Sequence, residues 1–159
     1  MKRMRWVDSP IGALRLAEED GALTELLFGE QGENRQRDDS PVLLQAEVQL
    51  GEYFAGKRRE FTVPLSPRGT EFQRRVWNAL LTIPYGETRS YGEIAILAES
   101  PKAFRAVGSA NHNNPISILI PCHRVIGKNG SLTGYGGGME AKQFLLELEK
   151  GNGELAISN

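Results

Sequence analysis

Residues 90–127, SYGEIAILAESPKAFRAVGSANHNNPISILIPCHRVIG, hold most of what the chain discloses. Two short amphipathic segments come first. Ser90 offers an N-cap to the segment 90–100, and the turn at Glu99-Ser100-Pro101 separates it from a second segment, 102–114. Two short helices joined by a tight turn have the helix-turn-helix shape, whose second helix enters a DNA groove; any two packed helices can produce the same pattern. The apolar run 115–120 predicts a buried strand, and Pro121-Cys122-His123-Arg124 its terminal turn. Cys122 is the single cysteine of 159 residues.

Cysteine reacts as its thiolate, so a reactive one needs a base or a positive charge beside it. His123 and Arg124 follow Cys122 directly. Adjacent side chains of a strand point to opposite faces, so adjacency alone does not pair Cys122 with His123. A turn forced by Pro121 could bring both to one pocket, directly or through a water. A lone cysteine at a strand end also serves as a small buried hydrophobe. The residues alone leave both readings open.

Working outward, the first thirty residues read as an antiparallel meander: MRWV, ALRLAEE and ALTELLF, separated by DSPIG and EDG. Residues 29–40 are polar and read as a loop. Ser40-Pro41 opens a helix with an apolar face of Leu43, Leu44, Val48, Leu50 and Phe54, stopped near Gly56. REFTVPL (59–65) alternates and is expected to be one more strand, with 66–69 as linker. A helix follows over TEFQRRVWNALLTIP, with capping-box spacing at Thr70 and Gln73 and a stripe of Phe72, Val76, Trp77, Leu80 and Leu81. After Cys122 come a glycine-rich loop, VIGKNGSLTGYGGG, a last helix, MEAKQFLLELEK, and a tail expected to be loose.

Length suits one domain or two small lobes. The expected class is α+β, with a small antiparallel-sheet lobe over 1–66 (sheet plus helix) and a mainly helical lobe over 67–159 that carries the helix-turn-helix. No apolar run is long enough for a membrane span, and Asp8 and Pro10 interrupt any signal-like start. One cysteine excludes an internal disulfide and a cysteine-rich zinc site, and it fits a reducing, cytoplasmic setting. Net charge is −1, which does not announce a nucleic-acid binder. Yet residues 67–128 carry eight Lys/Arg against four Asp/Glu, between acidic flanks. Such an island can bind phosphates or be an ordinary solvated face.

NNPISILIPCHRVIG resembles the signature of the O6-alkylguanine-DNA alkyltransferases, the suicide proteins that repair alkylated bases. SYGEIAILAESPKAFRAVGSA resembles that family's helix-turn-helix, and GYGGGMEAKQFLLELE its substrate loop and closing helix. The resemblance is strong over 66–150 and rests on length and element order before that. It implies irreversible, stoichiometric transfer of an alkyl group from O6 of guanine to Cys122; Gly136, where some relatives have serine, is a departure that would widen the pocket for bulkier adducts or O4-alkylthymine. His123 would deprotonate the thiol through a water, Glu149 would orient His123, and Asn114 would tie the turns near the cysteine. The substrate base would be flipped out of the duplex. Arg105 would fill its place, and Tyr91 would crowd the 3′ phosphate and touch the base. Ala106, Gly108, Ser109 and Arg124 would meet the DNA, in the minor groove and without sequence preference. Tyr91, Tyr135, Gly136, Gly137 and Lys142 would form the pocket. No cofactor, metal or membrane enters, and the state implied is a monomer, with cooperative binding along DNA left open. Three alternatives remain: a lesion-binding relative without transfer, though such relatives lack the cysteine; a helix-turn-helix regulator with a structural cysteine; and a cysteine hydrolase.

Overall fold

The structure, a computed structural model, describes residues 2–29, 36–130, 135 and 137–158, with the backbone alone over 152–158. The chain divides into two compact units, Met1–Pro67 and Arg68–Asn159. The α+β class read from the sequence holds.

In the first unit, β1 (Arg3–Val7), β2 (Leu14–Glu19) and β3 (Ala22–Phe28) form an antiparallel meander in sequence order. Asp20 and Gly21, both at positive φ (54° and 83°), turn the β2–β3 hairpin, the conformation that an Asp-Gly pair favours between right-twisted strands. Helix α1 (Pro41–Phe54) starts at Pro41 as expected, but the Ser40 hydroxyl makes no capping hydrogen bond. Its inner face differs from the expected one. Val42, Leu43, Ala46, Gln49, Leu50 and Tyr53 are buried, whereas Leu44 and Val48 are exposed. The helix is rotated to bury Gln49 because that amide is fully used: Nε2 donates to Thr62 Oγ1 (2.5 Å) and Oε1 accepts from Thr62 N–H (2.9 Å). The same clamp explains why 59–65 is not the expected strand. Its backbone is held by a side chain, and only Leu65 forms a bridge, to Leu23.

The second unit contains α2 (Glu71–Leu80), β4 (Arg89–Ser90), α3 (Tyr91–Leu97), α4 (Phe104–His112), a 3-10 turn at Cys122–Arg124, β5 (Val125–Ile126) and α5 (Met139–Ser158). Local sequence sets the helix starts. The Thr70–Gln73 capping box is formed, and Ser90 with Glu93 forms a second one at α3. Helices α2, α3 and α4 pack together around Val76, Trp77, Leu80, Ile94, Ala95, Val107 and Ala110. Trp77 Nε1–H donates to the Ala110 carbonyl (2.8 Å), fixing α2 against α4. Phe72 is half-buried and Leu81 exposed, so the expected stripe is narrower than its spacing implied. Strands β4 and β5 pair in parallel over two residues, a contact the sequence did not announce. The helix α5 backbone runs to Ser158, where a loose tail was expected. No helix among the described residues is long and apolar enough to cross a membrane.

Gly69 sits against the indole. A Cβ there would lie 2.5 Å from Trp77 Cη2 and 2.6 Å from Gln73 Oε1. Gly69→Ala must therefore displace a fully packed ring or break the α2 cap. The expected loss of stability is about 1–3 kcal/mol, measured as a lower urea midpoint at unchanged m-value.

Candidate active site

The run 115–120, expected as a strand, is instead a string of tight turns. Leu119 N–H bonds the Ser117 carbonyl (2.9 Å) around Ile118, whose φ is 72°. Cys122 N–H bonds the Ile120 carbonyl (2.7 Å) around Pro121, at φ −80°, ψ 64°. Both are three-residue turns, and the first is of the rare, strained hand. A β-branched residue at positive φ costs of the order of 1–3 kcal/mol and persists only where its surroundings dictate it. Here Asn114 does so. Its Nδ2 donates to the Ile120 carbonyl (2.8 Å) and its Oδ1 accepts from Ile116 N–H (3.0 Å), so one buried amide closes the whole segment. Ile116, Ile118 and Ile120 are buried beneath it. The chain then enters the 3-10 turn that carries Cys122, His123 and Arg124.

Cys122 is buried. Burial raises the thiol pKa, and hydrogen bonds from Asn114 and Ser117 and the charge of Lys142 oppose the rise without cancelling it. The resting group is a thiol, so its chemistry requires a base. His123 is fully buried, with Nε2 2.7 Å from Glu149 Oε2. Burial lowers the imidazole pKa, outweighing Glu149, and the Arg124 and Lys142 charges add to the lowering. The ring is neutral. Burial alone would raise the Glu149 pKa, but hydrogen bonds from His123 and Arg124 and the Arg124 charge hold it at about 2. An ionised carboxylate can only accept, so His123 Nε2 carries the hydrogen. His123 Nδ1 is then a bare acceptor, and among the described residues it has no hydrogen-bond partner.

Arg124 corrects an expectation. Placed at the DNA by resemblance, it is buried within the site. Nε donates to Glu149 Oε1 (2.8 Å), one terminal nitrogen to Glu149 Oε2 (2.9 Å) and the other to the Ile83 carbonyl (2.7 Å). Gly86 N–H adds a longer bond, 3.3 Å, to Glu149 Oε1. Lys142 is fully buried on α5 with Nζ 2.7 Å from the Val125 carbonyl; burial lowers its pKa and the charge on Cys122 raises it. Tyr135 is buried with its ring edge-on to His123, 6.5 Å between centroids. Burial first, then the Cys122 charge, push its phenol well above the usual value, so it stays a donor. Gly137 is half-buried, and Gly136 lies outside the described residues.

Thus Asn114, Ser117, Lys142 and Tyr135 act on the Cys122 thiol, and His123, next along the turn, is held by Glu149. The remaining candidates lie on the helix-turn-helix. Arg105, Ala106 and Ser109 share the exposed face of α4, Gly108 is half-buried, and Tyr91 opens α3 half-buried. A Cβ on Gly108 would be 4.0 Å from the Tyr91 ring, so the two helices meet there. Sequence reasoning missed Ser117, which reaches the sulfur, and the Ile83 carbonyl and Gly86 amide that complete the Glu149 site. Nothing in their local sequence marks them, because each acts through a turn that only the fold creates.

A helix-turn-helix unit with a buried thiol beside a histidine–carboxylate pair defines a DNA-acting protein with a cysteine centre. Known proteins narrow that class. The model of the 6-O-methylguanine DNA methyltransferase DNA binding domain matches residues 71–151, and that of the ribonuclease-like domain matches 3–67. The methylated-DNA–protein-cysteine methyltransferase of Mycobacterium tuberculosis is 56% identical over 154 residues, 94% of this chain and 93% of that protein. The constitutive one of Bacillus subtilis is 49% identical over 152 residues, 90% and 92%. The crystal structure of Mycobacterium tuberculosis OGT in complex with DNA matches with a TM-score of 0.86 at 57% identity, covering 94% of this chain and 93% of that one. The chain belongs to the 6-O-methylguanine DNA methyltransferase family.

Two predictions follow from the geometry. Asn114→Ala leaves the Ile120 carbonyl and Ile116 N–H unpaired, costing about 1–3 kcal/mol. It also removes a hydrogen bond that lowers the thiol pKa, so the reaction of Cys122 with iodoacetamide moves to higher pH; an unmoved profile contradicts the contact. The second concerns acid stability. The Glu149 pKa is held at about 2 against a usual 4.5, so its contribution is complete above pH 4.5 and lost as pH falls towards 2. That difference corresponds to about 3 kcal/mol. Glu149→Gln, less stable at neutral pH, should show a correspondingly smaller acid loss in denaturant titrations at a series of pH values.

Proposed function

We propose that this protein repairs alkylated DNA by moving one alkyl group from O6 of guanine to Cys122. The observation that carries the reading is the bare, buried Nδ1 of His123, the residue that follows the buried Cys122 thiol on the same turn. A neutral imidazole with Nε2–H held by a carboxylate can accept one proton, directly or through a water. The thiol proton goes to Nδ1, and the sulfur attacks the alkyl carbon. The C–O6 bond breaks with its electron pair on O6, and the leaving guanine regains a proton at N1. Tyr135, kept as a phenol, can donate towards the leaving oxygen. Among the described residues no group of this site can cleave the new thioether, so on this reading each chain acts once.

The buried sulfur implies that the base leaves the duplex to reach it. Arg105 on the exposed face of α4 suits the vacated place in the stack, and Tyr91 suits the phosphate and base beside it. Ala106, Gly108 and Ser109 are small enough for close approach to the minor groove, which carries little sequence information. The protein acts as a monomer in the cytoplasm on this reading. O4-alkylthymine is a second substrate, since the mechanism uses only an alkyl carbon on an exocyclic oxygen.

Intact-protein mass after mixing with duplex DNA bearing one O6-methylguanine tests the reading. Protein in excess and then limiting should gain one methyl group on Cys122, capped at one per chain; an O4-methylthymine duplex should give the same product. Arg105→Ala should slow transfer from duplex about tenfold or more while leaving transfer from free O6-benzylguanine unchanged. Lesion-selective binding without mass gain would overturn transfer in favour of recognition alone, and turnover beyond one equivalent would point to a hydrolase.

A further inference from the structure

Arg124 is a charged side chain of this site that the transfer just described does not use. Its setting resembles neither a surface cation nor a DNA contact. Three donors are spent on three buried acceptors: both oxygens of Glu149 at 2.8 and 2.9 Å and the Ile83 carbonyl at 2.7 Å. The guanidinium also lies 5.8 Å from the centroid of the Tyr85 ring, and the Tyr85 hydroxyl reaches the Leu148 carbonyl at 3.5 Å. Planar, two-pronged holding of a carboxylate fixes its charge and its orientation together.

We propose that Arg124 is a positioning residue: by holding both Glu149 oxygens it keeps a proton off the His123–Glu149 pair and so keeps His123 Nδ1 bare for the thiol proton. The argument concerns where one proton can go. Around the pair stand Arg124 and Cys122 on the turn, Lys142 and Lys150 on α5, and Tyr85 and Tyr135. Arg124 donates two hydrogen bonds to the Glu149 carboxylate. Lys142 instead gives Nζ to the Val125 carbonyl. Without the guanidinium, burial favours uptake of a proton by the pair. If Glu149 takes it, the carboxylic acid donates to Nε2 and the ring hydrogen moves to Nδ1. If His123 takes it, both ring nitrogens carry hydrogen. Either way Nδ1 ceases to accept. Burial and the Arg124 charge both lower the His123 pKa, as this requires.

The inference rests on the transfer chemistry proposed above, and its test separates the two. Rates of transfer from free O6-benzylguanine, which needs no DNA, are measured by intact mass from about pH 5 to 9 for wild type, Arg124→Gln and Arg124→Lys. In parallel, the ring-nitrogen NMR pattern of His123 is followed over the same range. The chain has two histidines, and His112→Gln assigns them. Wild type should keep the Nε2–H, bare-Nδ1 pattern throughout. Arg124→Gln should gain hydrogen on Nδ1 on the acid side, with its rate limb moved up by about one pH unit or more and recovering at high pH. Arg124→Lys, reaching one oxygen, should move less in the same direction and so rescue part of the loss. A Gln variant slower by the same factor at every pH, with the wild-type ring pattern, would show a merely structural role and overturn the proposal. Should the Gln variant fail to fold, a Lys variant with the wild-type profile overturns it equally. If wild type takes no alkyl group, the transfer reading falls, while the ring pattern still decides the role of Arg124.

Discussion

An ionised carboxylate buried out of reach of bulk water is the constraint on which this site depends. Glu149 is 5% exposed, yet its pKa lies at about 2. Burying such a charge unpaired costs several kcal/mol, and removing one partner of a buried pair typically costs about 3–5 kcal/mol. The sequence therefore devotes Arg124, the Gly86 amide and His123 to one side chain on α5. These bonds tie two segments to that helix: the turn after α2, through Gly86, and the 3-10 turn, through His123 and Arg124. A substitution at Glu149 would therefore act on fold and chemistry together.

The second constraint is the thiol. A cysteine nucleophile is usually activated by a lowered pKa, from a helix N-terminus or a neighbouring cation. Here burial prevails and the pKa rises, although Asn114, Ser117 and Lys142 act against it. A resting thiol is a poor nucleophile towards small oxidants and metabolites, since reactivity follows the thiolate. In the transfer proposed above, removing its proton falls to His123, whose hydrogen on Nε2 is fixed by Glu149. On that proposal reactivity depends on a substrate that fits beside the buried sulfur, as single use of each chain would require.

Legibility from sequence followed the range of the interaction. Thr70–Gln73 and Ser90 were readable because a cap is decided within four residues. The Asp20-Gly21 hairpin was readable for the same reason. Cys122, His123 and Glu149 were found through a motif, and the fold brought them together. Misreadings occurred where a distant side chain replaced a backbone partner. Residues 59–65 alternate like a strand, but Gln49 holds Thr62. Residues 115–120 are apolar like a strand, but Asn114 folds them into turns. Lys142 was placed at the pocket by resemblance alone; its full burial was not legible, because the Val125 carbonyl that takes its Nζ comes from the distant strand β5. Arg124 read as a DNA contact because a sequence cannot show that a carboxylate twenty-five residues later needs it.

The strained turn explains why this cysteine does not sit on a regular strand. In a strand, Cys122 and His123 would face opposite sides of the sheet and could not share a proton path. The turns at Ile118 and Pro121, followed by the 3-10 turn, rotate the chain so that sulfur and imidazole serve one site. The cost is a β-branched residue at positive φ, of the order of 1–3 kcal/mol. It is offset by burying three isoleucines and by the two Asn114 bonds. Glycine at position 118 would relieve the torsion but would give up a fully buried side chain, at about 2–5 kcal/mol for a change of this kind. On balance the strained isoleucine is the more stable choice, so packing holds the reactive geometry in place without any cost in net stability.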